Sequence, residues 1–312
     1  MYAMRRLTLV AVYLCIGSSP CLARRESERR KKGDFYCFGA DGFDLRSAVH
    51  THLTDDLDKT EVRNRYGSVI GDWCVDGVES FAEVFKDQAD FNEDLSQWNT
   101  SSAVNLSGCF RGATQFSQDL SRWDVSSVTD FSHLFEKNAA FESDLSKWQV
   151  GKGEDFSFMF AEADAFSSDL SEWDTSNALT LDSMFYECSN FRSNLNWWNT
   201  AKVKTMESTF DGAEVFNSPL AWNVGQVTTM RRMFRSTGMM DTDFSSWNVE
   251  KVFDMSEMFH TAVSFRGVGL ELWKTSSVIF MTAAFKDTWN FNGELGDWDV
   301  RNVEDFSLVS TR

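Results

Sequence analysis

Asp119-Leu120-Ser121-Arg122-Trp123-Asp124-Val125-Ser126-Ser127-Val128-Thr129 returns fifty residues later as Asp169-Leu170-Ser171-Glu172-Trp173-Asp174-Thr175-Ser176, and that recurrence decides the fold. Ten tryptophans keep the same register: Trp73, Trp98, Trp123, Trp148, Trp173, Trp198, Trp222, Trp247, Trp273 and Trp298. They stand 25 residues apart, except for a gap of 24 before Trp222 and one of 26 before Trp273. Counted from each Trp, position +12 is Phe in all nine complete units, from Phe85 to Phe285. Position +18 is Phe in eight of the nine, with Met240 the exception. Leu stands three residues before most anchors, and Phe, Leu or Met stands at +8. Chance does not hold such a register over ten copies, so one structural unit is repeated end to end.

The spacing within a unit predicts its build. Apolar or small residues at +8, +11, +12 and +15, such as Leu181, Met184, Phe185 and Cys188, have the period of a short helix. Asp119 to Trp123 alternates polar and apolar residues, as a short half-buried strand does. A turn rich in Ser, Asn and Asp joins the two. No unit of this size buries its own aromatic face, so neighbours must stack. The expectation is an α/β repeat solenoid, leucine-rich-repeat-like. It has about ten 25-residue coils over 73–312 and, at strand spacings of about 4.8 Å, a length on the order of 50 Å.

The segment before the repeats reads differently. Asp44 is placed to cap a helix in which Leu45, Val49 and Leu53 recur every four residues, with Ala48 beside them. A second helix is expected from Lys59 to Tyr66, ended by Gly67. Residues 35–72 therefore read as a helical N-terminal cap on the first coil. Cys37 and Cys74 flank it and are candidates for a disulfide in an oxidising compartment, or remain free thiols. Cys109 and Cys188 fall at inward positions, where Cys acts as a small hydrophobe.

Residues 1–23 have the form of a signal peptide. Arg5 and Arg6 precede the apolar stretch Leu7 to Ile16, and Cys21-Leu22-Ala23 follows Pro20. Ten apolar residues are half of the roughly 20 that a membrane span needs. A retained anchor and a lipidated cysteine are the alternatives. Residues 24–34, beginning Arg24-Arg25-Glu26-Ser27-Glu28-Arg29-Arg30-Lys31-Lys32, read as a solvated, disordered basic leader or as a propeptide junction. At the other end, the unit opened by Trp298 is incomplete at Arg312. A frayed end, pairing with another chain and an incomplete reading frame all stay open.

The pattern L-S-x-W-D-[VT]-S-x-V-T-x-[MF]-x-x-[MF]-F-x-x-A-x-x-F resembles the BspA-like leucine-rich-repeat surface proteins. The likeness is to their 25-residue variety, domain of unknown function 285, found in mycoplasma lipoproteins and in diatoms and other protists. It covers 73–309, and Tyr66-Gly67-Ser68-Val69-Ile70-Gly71-Asp72-Trp73 is similar to what precedes such repeats in protist members. The resemblance implies secreted or surface interaction proteins, some of them adhesins, without shared catalytic residues. Pro219 and Gly267-Val268-Gly269 depart from the pattern and are expected to bend the stack locally.

Charge narrows the partners. Of 30 basic residues eight lie in the first 32, and of 47 acidic only two, which leaves 22 against 45 and a net charge of −23. Such a body repels nucleic acid and anionic membranes, and favours cations and basic surfaces. His50, His52, His133 and His260 form no zinc-type cluster, and no nucleophile elbow, phosphate loop or dinucleotide fingerprint is present. The expectation is a protein that is no enzyme and carries no cofactor. Stacking aligns Asp94, Asp119, Asp144 and Asp169, continued by Asn194. These side chains either cap local backbone N–H groups or form a row of weak calcium sites. Position +2 alternates Thr (Thr100, Thr175, Thr200, Thr275) with near-isosteric Val, which suits tight packing with the hydroxyl on backbone. Asn99-Thr100-Ser101 and Asn105-Leu106-Ser107 match the N-glycosylation pattern.

The residue just before each Trp drifts while the framework holds: Gln97, Arg122, Lys147, Glu172, Trp197, Ser246, Leu272, Asp297. That is the behaviour of a solvated strip or of a binding face. Trp197 and Leu272 favour binding, because large apolar residues on such a strip are candidate hot spots. The functional expectation is a secreted or cell-surface protein that binds extracellular protein or glycan through one face. The alternative is a wall or matrix component that self-associates end to end.

Overall fold

The computed structural model describes residues 31–32, 35–54, 59–239, 242–307 and 309. The proposed signal peptide, 1–23, and most of the basic leader lie outside the described residues. From Trp73 onward the chain is a stack of coils, each opened by its anchor Trp. Position +7 of each coil forms a single parallel bridge to +7 of the next, from Ser80↔Asn105 through Asn105↔Asp130 to Phe280↔Asp305.

From that bridge the main chain bonds forward along one side of the stack. Phe81, Glu83, Phe85 and Asp87 donate their N–H groups to the carbonyls of Asn105, Ser107, Cys109 and Arg111, at 2.8, 2.9, 2.8 and 2.7 Å. Four coils on, Leu181, Ser183, Phe185 and Glu187 donate to Thr205, Glu207, Thr209 and Asp211 in the same way. The N–H groups of +8, +10, +12 and +14 thus all point at the following coil. Those of +11, +13 and +15 close three-residue turns within their own coil, as Met184 does on Leu181 at 3.1 Å.

A helix cannot supply this pattern, because it spends every N–H on its own chain four residues back. The expected helix over +8 to +15 is therefore absent, and so is the expected strand before each Trp. Among the described residues the coils are turns and single bridges, apart from one 3₁₀ turn at Leu270–Leu272. The backbone achieves the alternation by passing through the left-handed region at +10 and +14 of each of the first nine coils. Glycine fills that conformation at Gly108, Gly112 and Gly212; the other positions include His133, Phe158, Arg232 and Thr261. A left-handed non-glycine residue costs about 1–2 kcal/mol, and each inter-coil hydrogen bond returns about 0.5–1.5 kcal/mol net. The apolar spacing was read correctly as one inward face. It does not distinguish a helix from a chain of alternating-handed turns.

Inside the coils, aromatic side chains form columns. The +12 phenylalanines stack along the column with ring centres 5.2–5.8 Å apart. Most also stack on the +18 Phe of their own coil, Phe135 on Phe141 at 3.8 Å for example, while Phe285 meets Phe291 at a tilt. In the coil where the sequence has Met240 at +18, Phe244 packs against Phe234 instead. Trp173, Trp198 and Trp222 run parallel at 6.2 and 6.1 Å. Cys109 and Cys188 are fully buried, and burial pushes both thiols far above their ordinary range.

The cap is helical, as expected. A two-residue antiparallel pairing, β1 (Lys31–Lys32) with β2 (Phe35–Tyr36), precedes α1 (Phe43–Leu53) and α2 (Lys59–Tyr66). The end of the basic stretch is thus paired, a departure from a leader disordered throughout 24–34. Asp44 is not the cap of α1: Gly42 holds that position at φ +65°, and Asp44 sits in the first turn, where a carboxylate suits the helix dipole. A Cβ on Gly42 would lie 1.8 Å from the Ser80 carbonyl oxygen, so only glycine lets α1 approach the first coil. Cys37 and Cys74 are disulfide-bonded, and Phe38 donates its N–H to the Cys74 carbonyl at 3.0 Å. His52 is buried edge-on to Trp73, and Arg46 reaches Glu83.

Candidate binding face

Opposite bonding holds the other side of the stack, from four residues before each Trp to two after it. Here side chains make nearly all the bonds between coils, the Phe244 N–H to Val268 carbonyl being a backbone exception. From Trp98 onward each anchor indole donates its N–H backward to a carbonyl just before the preceding anchor, three residues before it in every case but Trp247, which bonds Leu220, two before Trp222: Trp148 to Leu120 at 3.0 Å, Trp173 to Leu145 at 3.0 Å, Trp198 to Leu170 at 2.9 Å. The tryptophans are therefore scaffold, buried and hydrogen-bonded. The +2 threonines are buried and donate forward, Thr175 to the Asn199 carbonyl at 3.2 Å and Thr200 to that of Asn223 at 3.0 Å.

The aspartate row caps backbone. Asp94, Asp119, Asp144 and Asp169 accept the N–H groups of Ser96, Ser121, Ser146 and Ser171 at 2.8, 2.8, 2.9 and 3.0 Å, and Asn194 does the same for Asn196. A serine from the next coil completes the arrangement. Ser193 accepts the Leu170 N–H at 2.7 Å and donates to Asp169 at 3.2 Å; Ser168 repeats this with Leu145 and Asp144. Bonds from Ser121 hold the Asp119 carboxyl below the usual range, and bonds from Ser146 and Ser171 do so for Asp144 and Asp169. Among the described residues no three His, Cys, Asp or Glu side chains converge as a metal site. The row's geometry is that of turn caps.

Between these capped turns stands the strip. Gln97, Arg122, Lys147, Glu172, Trp197, Ser246, Leu272 and Asp297 are all exposed, each one residue before a buried Trp. Trp197 is 77% and Leu272 60% exposed. Two shallow grooves flank Lys147 and Glu172. One, of about 560 Å³, is lined by Asp144, Ser168 and Asp169 among others; the second, of about 570 Å³, by Ser126, Gln149, Lys152 and Asp174. The strip is one continuous row, and the grooves are polar with both signs of charge.

Two features escape the sequence reading. Trp289 is 76% exposed at +16, away from the strip. On the backbone-bonded side, Asp211, Arg232, Arg235, Glu257 and His260 from three successive coils form an ion-pair network. Arg235 bonds Asp211 at 2.8 Å and Arg232 bonds Glu257 at 2.8 Å. Burial pushes the Asp211 carboxyl up against the pull of Arg235. These residues lie at +10 and +13, where copies also vary freely. Only stacking in register brings them together.

The family model described as a Mycoplasma protein of unknown function, DUF285, matches residues 56–172, 121–221, 154–268 and 220–310. No curated protein and no solved structure matches the chain. Those four overlapping matches take in every coil and the end of the cap, and the chain belongs to the DUF285 family of repeat proteins.

Proposed function

We propose that the chain is a non-catalytic solenoid, secreted or displayed at the cell surface, that binds an extracellular protein or glycan through the strip from Gln97 to Asp297. The observation that carries this reading is the contrast within each coil: a buried, hydrogen-bonded Trp beside an exposed residue that differs from copy to copy. Exposed Trp197 and Leu272 supply the apolar anchors that recognition surfaces use, over a scaffold already fixed by its own bonds. The Cys37–Cys74 disulfide and the leader of residues 1–23 suit an oxidising compartment. The body's net charge of −23, from 22 basic and 45 acidic residues after position 32, disfavours nucleic acid and anionic membranes.

The test is adhesion of the purified protein to immobilised extracellular proteins and glycans, wild type against Trp197→Ala with Leu272→Ala. The reading expects retention to fall at least about tenfold, or about 1.4 kcal/mol, with the fold unchanged by circular dichroism. Equal retention by the double variant would sink it. The second reading, end-to-end assembly, is favoured by the forward-pointing N–H rows, which would join copies as they join coils. Light scattering across a concentration series separates the two, since a monomer at all concentrations excludes assembly.

A further inference from the structure

We propose that the segment of the strip around Trp197 is a carbohydrate subsite, with one sugar ring stacked on the Trp197 indole and its hydroxyls held by asparagine amides. This rests on the strip reading above and names its ligand class. Three observations converge on this point of the stack.

Trp197 is the single aromatic residue of the strip, and the strip residue of the following coil is Ala221, the smallest in the row. One side of the indole thus borders a residue that ends at Cβ. On the other side stands Glu172, exposed and without a hydrogen bond among the described residues.

The polar residues beside Trp197 are mostly amides. At +1 the preceding coil carries Asp174, which only accepts hydrogen bonds, and the next three carry Asn199, Asn223 and Asn248. Asn199 Oδ1 accepts the Ala201 N–H at 3.1 Å and Asn223 Oδ1 accepts that of Gly225 at 3.1 Å. Asn196 Oδ1 reaches across to the Ala221 N–H of the next coil at 2.9 Å. Because a backbone N–H must meet an oxygen, these bonds fix which end of each amide is which. All three Nδ2 groups are left as oriented donors without a partner among the described residues.

An apolar ring face, fixed neutral donors and one carboxylate acceptor match a pyranose, whose C–H face is apolar and whose rim carries hydroxyls that both donate and accept. A basic peptide would instead favour the coils of Asp124 and Asp174, where a carboxylate stands at +1.

The experiment uses the full chain and soluble hexasaccharides of β-linked glucose, β-linked N-acetylglucosamine and α-linked mannose as probes. All twelve tryptophans emit, but a bound sugar changes the surroundings of exposed Trp197 or Trp289 alone, since the ten anchors are at most 9% exposed, so the ligand-induced shift reads those two. At least one hexasaccharide is expected to give a saturable blue shift in wild type. The shift is lost in Trp197→Ala, weakens several-fold in Asn196→Ala, and survives in Trp289→Ala. Saturable binding that persists in Trp197→Ala overturns the subsite, as does failure of all three sugars to shift the spectrum. If the sugars fail while the Trp197→Ala, Leu272→Ala variant still loses retention on immobilised proteins, the strip reading stands and the carbohydrate inference alone falls. If that variant loses neither, both fall.

Discussion

The two sides of the stack solve one problem by opposite means. On the side from +7 to +14 the main chain bonds coil to coil, and apart from the inward apolar residues at +8 and +12 the side chains there vary freely: +10 runs Glu83, Gly108, His133, Phe158, Ser183. On the side from −4 to +2 the coils are tied by Trp, Asp, Ser and Thr side chains, and there the repeat signature is strict. Beyond the inward apolar core at +8, +12 and +18, the repeat consensus therefore marks where side chains carry the inter-coil bonds, not where the molecule functions. Variability at the strip is more informative than variability at +10, because each strip residue sits beside a buried, hydrogen-bonded Trp.

The largest expected effect breaks the side-chain-bonded face. Trp148→Ala removes a buried indole, its stacking and its bond to Leu120, and should cost about 3–5 kcal/mol by urea unfolding. Trp148→Phe keeps the ring and loses the N–H, and should cost about 1–3 kcal/mol by leaving the carbonyl short of a donor. If both variants unfold at the wild-type midpoint, side chains do not tie this face.

Reducing the Cys37–Cys74 disulfide should come next. It closes a separation of 37 residues, so its loss should remove about 2–4 kcal/mol from the cap while the distal coils persist. Hydrogen exchange with and without reductant would show whether loss of protection stops near the first coils, as nearest-neighbour stacking requires.

Ser193→Ala and Ala283→Gly make a matched pair across the two faces. The first leaves the buried Leu170 N–H without its acceptor and should destabilise by about 1–2 kcal/mol. The second relieves a left-handed alanine at φ +54° and should be neutral or stabilising by up to about 1 kcal/mol. A destabilising Ala283→Gly would contradict the left-handed assignment.

Acid separates cap from coils. Burial holds His52 below the ordinary histidine range, against the opposing charge of Glu93. A group depressed in the folded state contributes stability that is present above its unfolded value, about 6.5 for histidine, and lost as pH falls. The cap should therefore weaken first, below that value. Hydrogen bonds from serines hold Asp119, Asp144 and Asp169 low, so the coils should follow only below the ordinary carboxylate range, about 3.9. His52→Phe should remove the first phase alone in a pH series of melting temperatures. The smallest effect concerns metal: with Asp94 to Asp169 serving as turn caps, EDTA should leave the melting temperature unchanged, and a drop would restore calcium to the row.

How much was legible follows from the same contrast. The aromatic columns, the inward cysteines, the Thr row and both cap helices were readable, because each depends on which side chains face inward. The left-handed positions were not, since Phe158, Arg232 and Thr261 give no glycine signal and the constraint comes from the neighbouring coil's carbonyls. Asp44 looked like a cap because its residue type fits, but Ser80's carbonyl demands a glycine two residues earlier. The Asp211–Arg235–Glu257 network was invisible because its members become neighbours only through stacking.

The stretch from +8 to +14 bonds forward in alternation and is not a helix, a distinction that residue-resolved amide hydrogen exchange across 181–187 makes visible. Ser183, Phe185 and Glu187 should exchange as slowly as the core, while Asp182, whose N–H meets only the Thr180 hydroxyl, should exchange fast. A contiguous block of equal protection over those seven residues, as an α-helix would give, would contradict it.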